Sequence, residues 1–277
     1  MSMRINTNVF AINAQRNLGA TSTTMSKAFE RLSSGLRINR AADDAAGLAI
    51  SEKLTAQVRG LSQASRNAQD GISLVQTAEG GLNEQHAILQ RMRELVVQAG
   101  TATVSTSDKT QIQSEITALQ AEITRIGTVG DFNGTKLLDG TLSASVLVGA
   151  NGATAEGITI QISTAHTAAG LAVSSTTVDV TSTGLTTAAM VASIDSAIST
   201  VSTSRSTLGA LQNRLEHTVK SLGVGVENLS ASRSRIRDAD IADETSRLVT
   251  TQILMQAGTA VLSQANQSAQ AVLGLLR

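Results

Sequence analysis

Residues 54–96 read LTAQVRGLSQASRNAQDGISLVQTAEGGLNEQHAILQRMRELV, and the spacing of their apolar residues predicts a long helix. An apolar side chain stands at every seventh position of it, without a polar exception: Leu54, Leu61, Ala68, Val75, Leu82, Leu89 and Val96. A seven-residue period places one narrow apolar seam along a helix. At about 1.5 Å per residue the seam is roughly 63 Å long, so it predicts a second long element that covers it.

The covering element is predicted from a second seam of the same period and length. Its members are Ile194, Val201, Leu208, Leu215, Leu222, Leu229 and Ile236. We predict that the two helices pack antiparallel. In both helices the positions four residues further on are half polar, as at Glu79 and Arg93, whereas a strict two-stranded coil needs them apolar. This pattern favours a bundle in which each seam is buried and its flank meets other helices or other subunits.

Both ends of the chain carry a thinner helical stripe. Residues 1–32 repeat Ala11, Leu18, Met25 and Leu32 at intervals of seven. A terminal helix with so thin a stripe frays on its own, so we expect a partner to order it. Beyond residue 240 a new seam begins, with the members Ile241, Leu248, Met255, Leu262, Ala269 and Leu276. The C-terminal part therefore mirrors the N-terminal part: a long helix, a short connector and a terminal helix.

The N-terminal connector is predicted within residues 33–53. Gly35 and Asn39 favour the end of a helix, and Asp43 or Asp44 is predicted to cap the next one. Paired aspartates also occur at acid–base and cation-binding sites. No third carboxylate or histidine lies nearby, so capping is the favoured interpretation.

The middle of the chain adds a third helix and a hairpin. Ile112, Ile116, Leu119, Ile123 and Ile126 step by four and three, which predicts a packed helix. The hairpin is predicted from two short apolar runs around the Asn-Gly pair at 151–152, namely residues 145–148 and 158–162. We expect another short strand at Val178 and Val180. The tract from Ser174 to Thr187 is rich in Ser, Thr, Ala and Gly, and is predicted to be a flexible surface loop, with O-linked modification of the 163–203 region left open.

The composition excludes several classes of protein. The 277 residues include 22 basic and 22 acidic side chains, so there is no electrostatic footprint for nucleic acid or for an anionic membrane. No apolar run approaches the ~20 residues that a membrane span needs. There is no Pro to interrupt long helices, and no Cys, Trp or Tyr. The polar start of the chain lacks the pattern of a secretory signal, which by itself predicts a cytosolic protein.

No arrangement of residues predicts catalysis. His86, His166 and His217 are scattered and do not have the spacing of metal ligands. The chain has neither a phosphate-binding glycine loop nor the glycine-flanked serine of a nucleophile elbow. We therefore expect no enzyme, no metal and no cofactor.

Several long motifs point to one family. They lie at residues 4–8 (RINTN), 30–39 (ERLSSGLRIN), 43–47 (DDAAG), 65–68 (SRNA), 70–73 (DGIS), 234–236 (SRI), 238–240 (DAD), 256–258 (QAG), 264–267 (QANQ) and 272–277 (VLGLLR). In these motifs the chain resembles the bacterial flagellins, over roughly residues 1–140 and 187–277. The resemblance implies a structural subunit that assembles with copies of itself into the flagellar filament for swimming motility.

The resemblance also implies a fold and a division into domains. The fold class is expected to be mainly α, a long antiparallel helical bundle or coiled coil from both chain ends with a small central β-hairpin. Residues 1–40 and 241–277 would form the filament core, and 41–240 the helical-bundle domain, including a 141–186 hairpin and loop insert. The large outer domains typical of the family are missing. Export through the filament channel by the flagellar type III apparatus would give an extracellular protein without a cleaved signal peptide.

Site residues follow from the seams and from the resemblance. The seam residues expected to pack subunits are Leu18, Met25, Leu54, Leu61, Val75, Leu82, Leu89, Leu208, Leu215, Leu222, Leu229, Leu248, Met255 and Leu262. The resemblance implies that Arg91, with Leu95 beside it and Glu115 on the third helix, contacts a Toll-like flagellin receptor. It implies that Leu273, Leu275 and Leu276 are presented to the export chaperone and to intracellular sensors. Further partners would be the filament cap and the hook-junction proteins.

Two other functions stay open at this point. A hook–filament junction protein shares the terminal helices but caps a few positions instead of polymerising. A non-flagellar helical adaptor would be a folded monomer or dimer with ordered termini. The motifs at both chain ends favour the filament subunit over both.

Overall fold

Five helices and two small β-hairpins make up the computed structural model, which describes residues 7–152, 156–182 and 184–274, the last of them (268–274) by their backbone alone. The helices are α1 (Val9–Ser34), α2 (Ala45–Ala99), α3 (Thr106–Val129), α4 (Thr187–Arg237) and α5 (Ile241–Gly274). The strands are β1 (Asp131–Phe132), β2 (Thr135–Lys136), β3 (Leu142–Leu147) and β4 (Gly157–Ile162). The predicted mainly α fold class is confirmed. None of the helices, over the described residues, combines the length and the apolar character needed to cross a bilayer.

The chain forms two compact units. Unit 1 joins the two ends of the chain, Met1–Ala56 and Asn228–Arg277, and unit 2 is the middle, Gln57–Glu227. Both boundaries fall inside the long helices α2 and α4. The predicted division at residues 40 and 241 concerns the filament core and stays a prediction about the assembly.

In unit 2, α2 and α4 pack antiparallel, as the two seams predict. Along the pair, the residue number on α4 falls as the residue number on α2 rises. The contacting pairs are Leu61–Gly225, Gly71–Leu215, Glu79–Arg205 and Arg93–Asp195. The seam is buried from Ala68 to Val96 on α2 and from Ile194 to Leu222 on α4. Burial of this continuous apolar line is the main stabilising contribution in the unit, since apolar surface removed from water contributes about 25 cal/mol per Å².

The third helix and the hairpin complete the core of unit 2. Helix α3 begins at a capping box in which Ser105 and Asp108 satisfy each other's backbone N–H groups, and it buries Ile112, Ile116 and Ile123. Strands β3 and β4 pair antiparallel with alternating burial, as predicted. The hairpin lies close to α2: a Cβ at Gly71 would stand 3.0 Å from the Val146 side chain, and one at Gly60 would stand 2.9 Å from Ala150 Cβ.

The segment after β4 differs from the prediction. Val178 and Val180 do not form a strand, and the tract that contains them is not a free surface loop. Apart from the exposed Ala169 and Ala172, the apolar side chains of residues 168–180 are buried in the core: Ala168, Leu171, Val173, Val178 and Val180. Side-chain amides of α3 hold the backbone, since Gln120 donates to the Val178 carbonyl (3.1 Å) and the Val180 N–H donates to Gln113 (2.9 Å). These long-range contacts order a sequence whose composition alone suggests a loop.

Candidate functional site

The candidate functional site lies in unit 1, where α1 and α5 form an antiparallel pair. The inner positions of both helices alternate steps of three and four residues. On α1 they are Ala11, Ala14, Leu18, Thr21, Met25 and Ala28; on α5 they are Glu244, Leu248, Thr251, Met255, Gly258, Leu262 and Ala265. This alternation is the pattern of a two-stranded coiled coil.

Small residues let the two helices approach closely. A Cβ added at Gly258 would lie 3.1 Å from Leu18 Cγ, so the α5 backbone stands directly against that leucine. The predicted residues Leu18, Met25, Leu248, Met255 and Leu262 all lie on the inner faces, each partly buried. The inner positions between them were missed because they are Ala, Thr or Gly, which carry no hydrophobic signal, or, in one case, the charged Glu244. Only the spacing of three residues could have indicated them.

Polar contacts fix both ends of the helix pair. At one end, the Asn8 side chain accepts from the Ala11 N–H (3.1 Å) and donates to the Ala265 carbonyl (2.8 Å). The Asn8 contacts therefore cap α1 and also attach its first turn to α5. At the other end, Arg31 forms an ion pair with Glu244 at 3.7 Å, and Glu244 is only 7% exposed.

Several large apolar side chains on the outward faces of the pair are exposed. On α1, Val9 is 58% exposed and Phe10 is 68% exposed, and on α5, Ile253 is 60% exposed and Val261 is 59% exposed. Beyond Arg247, α5 contains no charged residue through its last position, Gly274. A group of large exposed apolar side chains on one helix pair indicates an interaction site.

The two connectors are hydrogen-bonded to each other at the base of unit 1. The Arg37 N–H donates to the Arg237 carbonyl (2.7 Å), and the Ala239 N–H donates to the Gly35 carbonyl (2.9 Å). The Arg37 guanidinium also donates to the Ile236 carbonyl (2.7 Å). Gly35 ends α1 in the left-handed conformation, with φ of 69°.

One aspartate of each connector caps the helix that follows it, and the cap predicted for Asp43 or Asp44 is confirmed at Asp44. Asp44 accepts from the Gly47 N–H at 2.8 Å at the start of α2, and Asp240 accepts from the Ala242 N–H at 2.9 Å at the start of α5. Asp43 accepts from the backbone N–H groups of Arg40 and Asn39, and these hydrogen bonds hold the pKa of its carboxyl below the usual range. Within the described part of the chain, no group of three or more His, Cys, Asp or Glu side chains is placed to hold a metal ion.

The long-helix seam residues pack inside the subunit. Val75, Leu82, Leu89, Leu208, Leu215 and Leu222 are buried in the single chain. Leu54 and Leu229 in unit 1 and Leu61 in unit 2 are half-buried. The buried six have no surface left for a second copy, so their role is to hold the subunit together.

Arg91 and Glu115 form an exposed ion pair on unit 2. Arg91 Nε donates to Glu115 Oε1 at 2.9 Å, and Arg91 Nη1 donates to Glu94 Oε2 at 3.2 Å. The hydrogen bond to Glu115 is the main cause that raises the pKa of Arg91. Leu95 differs from its predicted role, because it is 2% exposed and belongs to the core, where a partner cannot reach it.

The last predicted site residues fall beyond what the structure describes. Leu275 and Leu276 lie outside the described residues, and for Leu273 the description extends to the backbone of α5 alone.

Comparisons with known proteins cover nearly the whole chain. Residues 5–143 match the family model of the bacterial flagellin N-terminal helical region, and residues 191–276 match that of the bacterial flagellin C-terminal helical region. A flagellin of Halalkalibacterium halodurans is 52% identical, over 99% of this chain and 100% of that protein. A flagellin of Bacillus subtilis is 48% identical, and flagellin FlaB2 of Treponema pallidum is 45% identical, each over 99% of this chain and 100% of the relative.

Proposed function

This chain belongs to the bacterial flagellin family of filament-forming structural proteins, and we propose that the exposed apolar face of its α1–α5 pair joins one copy to the next. Flagellins polymerise with copies of themselves, are components of the extracellular flagellar filament, and are not enzymes. The matches support a flagellin without a large outer domain between its two matched helical regions. In our proposal, residues 1–40 and 241–277 form the filament core, and 41–240 the layer around it.

The observation that carries this proposal is the difference in exposed apolar side chains between the two units. Large apolar residues with at least half of their surface exposed are concentrated on α1 and α5, where they are Val9, Phe10, Phe29, Ile241, Val249, Ile253, Leu254 and Val261. The others that the structure shows are Ile50, Val97, Val129 and Val224. Burying the exposed part of each in a neighbouring copy contributes on the order of 1 kcal/mol. A face that contacts a different face of the next copy generates a helical filament, because such contacts do not close on themselves.

Removing the terminal helices tests the proposal. We expect the full chain, supplied with filament seeds or a precipitating salt, to form long tubular filaments in electron micrographs. A chain lacking residues 1–32 and 241–277 should stay soluble, with its unit 2 still helical by circular dichroism. Filaments formed equally well by both chains would contradict the proposal. A full chain that adds only a few copies to each seed and then stops would instead favour the hook–filament junction protein.

For recognition by a Toll-like flagellin receptor, we propose Arg91 and Glu115 as the contact residues. Both side chains are about half exposed, and their ion pair presents them together on one surface of α2 and α3. Leu95 would act only by supporting that surface from the core. The alternative role of these residues is lateral packing in the filament.

A matched pair of arginines tests the receptor proposal. Arg91→Ala should weaken receptor binding at least about tenfold in a biolayer assay, a loss typical of an interface hot spot. Arg125→Ala removes another exposed ion pair, with Glu122 on α3, and should leave the affinity unchanged. Equal affinities of the natural chain and the Arg91→Ala variant would remove the claim.

The remaining partners follow from membership of the family. We propose export through the filament channel by the flagellar type III apparatus, with Leu273, Leu275 and Leu276 presented to the export chaperone and to intracellular sensors. The cap and hook-junction proteins would meet the ends of the assembled filament. Substituting the three leucines by Ser should abolish capture by the chaperone, and undiminished capture would contradict this assignment.

A further inference from the structure

We propose that His166 is a pH-sensitive latch that holds the segment after β4, residues 163–182, onto the helices of unit 2, and that acid releases this segment. The proposal concerns a single folded copy, so it does not depend on the assembly role of the terminal helices.

His166 connects the segment to four parts of unit 2. The residue has no exposed surface. Its N–H donates to the Leu138 carbonyl (2.8 Å), and its carbonyl accepts from Gln85 Nε2 on α2 (2.7 Å). Its ring Nε2 lies 3.1 Å from Ser204 Oγ on α4. On α3, Gly127 leaves room for the His166 carbonyl, which a Cβ at that position would overlap.

The residues that follow depend on this docking. Leu171, Val173 and Val178 are 4% exposed or less, and they are buried only while the segment stays on the helices. Among the described residues, the polar contact of the ring is with a neutral hydroxyl group, that of Ser204. A positive charge on the ring would be buried without a counter-charge, which is strongly unfavourable.

Most of the charged and titratable side chains around His166 are engaged with other groups. The titratable side chains nearest in sequence to the contacts on each packed element are Glu84 and His86 on α2, Glu122 and Arg125 on α3, Arg205 on α4, Lys136 and Asp139 before β3, and Asp179 in the segment itself. Seven of these eight are engaged elsewhere. Glu122 pairs with Arg125, Arg205 pairs with Glu79, and Asp139 accepts from Thr141. Asp179 accepts from Thr181, Lys136 donates to the Val129 carbonyl, and His86 contacts Gln90. Among the described residues, no carboxylate forms an ion pair with the imidazole of His166.

The direction of the effect follows from burial. Burial lowers the pKa of His166 below its ordinary value of 6.5. The imidazole Nδ1 is also buried and makes no hydrogen bond to any described residue. A buried, neutral histidine stabilises the docked state at any pH above the pKa that its side chain has in the unfolded chain. This stabilisation is lost as the pH falls through the lower pKa of the same side chain in the folded state.

Hydrogen–deuterium exchange on the full chain tests the latch, with rates corrected for the intrinsic effect of pH. From about pH 7 to about pH 5, the opening of residues 163–182 should increase roughly tenfold or more, because each unit of pKa shift corresponds to a tenfold change in equilibrium. His166→Gln should remove this dependence, and His217→Gln, a change at an exposed histidine of α4, should keep it. The proposal is overturned if the natural chain shows no such change, if His166→Gln still shows it, or if all of unit 2 opens together.

Nuclear magnetic resonance of the natural chain gives a second test that does not require the variant to fold. The His166 ring and the methyl groups of Val173 and Val178 should change together, at a pH below about 6.5. A ring that titrates near that value while the methyl signals stay constant would overturn the latch.

Discussion

At the scale of single residues, two helical glycines of unit 2 have opposite surroundings. A Cβ at Gly127 on α3 would overlap the backbone carbonyl of His166, whereas a Cβ at Gly209 on α4 would meet nothing within 4 Å. The same substitution therefore has two different physical effects. At Gly209 only the helix preference for Ala acts, and at Gly127 the docked segment must move.

We predict opposite changes in stability for these two positions. Gly209→Ala should raise the free energy of unfolding by about 0.5–1 kcal/mol, the usual difference in helix propensity between Gly and Ala. Gly127→Ala should lower it by about 1–3 kcal/mol, as overpacking does. Urea unfolding of the full chain, followed by circular dichroism, measures both. Changes of the same sign would contradict the placement of His166 against α3.

Some single-residue roles could be predicted from the sequence and others could not. The capping by Asp44 was predictable because a cap acts on the backbone three residues away, which is a local interaction. The burial of Leu95 and His166 was not predictable, because it depends on contacts with residues far along the chain. The sequence shows that Leu95 lies one helical turn from Arg91, but it does not show that other elements cover Leu95.

At the scale of elements, the seam between α2 and α4 varies in depth along its length. Leu208 is 1% exposed, whereas Leu61 is half-buried in the same unit. The seven-residue period assigns both leucines the same role. The two leucines differ in burial because α3 and the hairpin cover the seam unequally along its length.

The difference in depth predicts a graded loss of stability. Leu208→Ala should cost about 2–5 kcal/mol, the range for a leucine deleted from a closed core. Leu61→Ala should cost clearly less, because part of that side chain already contacts water. Chemical unfolding midpoints of the two variants give the comparison, and equal losses would contradict the burial described above.

The start of α3 predicts a local dependence on pH. The hydroxyl and the N–H of Ser105 both donate to Asp108, which lowers the pKa of that carboxyl below 3.8. A carboxylate whose pKa is lowered by folding stabilises the fold at a pH above its pKa in the unfolded chain. This stabilisation is lost as the pH falls through the lower pKa of the folded state. Exchange of the first-turn amides of α3 should therefore rise below about pH 4, and Ser105→Ala should raise it already at neutral pH. An unchanged first turn in that variant would contradict the capping box.

The helices and the hairpin were predicted well because their periods are local properties of the sequence. The inner faces of α1 and α5 were only half predicted, since Ala14, Thr21 and Ala28 look neutral until the facing helix is present. The tract from Ser174 to Thr187 was predicted wrongly as a flexible surface loop, because Val178 and Val180 within it are buried. Its Ser- and Thr-rich composition hides a few apolar side chains whose burial depends on α3 and α4.

At the scale of the whole molecule, the two units use apolar residues differently. Unit 2 encloses most of its large apolar side chains in a core formed by one chain, with Val97, Val129 and Val224 as exposed exceptions. Unit 1 has a thin, small-residue interface inside and leaves its larger apolar side chains outside, as at Phe10 and Ile253. This division suits a subunit whose middle is stable alone and whose ends are completed by other copies.

If the outer face of the α1–α5 pair drives assembly, a charge placed on that face should slow it. Two valines with similar exposure, one on this face and one outside it, allow a matched test. Val249 on α5 is 54% exposed and Val129 on α3 is 53% exposed, so replacing either by Lys changes a comparable surface position. The measurement is the rate of elongation from filament seeds, followed by electron microscopy. We predict that Val249→Lys slows elongation at least tenfold (~1.4 kcal/mol), whereas Val129→Lys elongates like the natural chain. Normal elongation of the Val249→Lys chain would show that the outer face of the α1–α5 pair does not drive assembly.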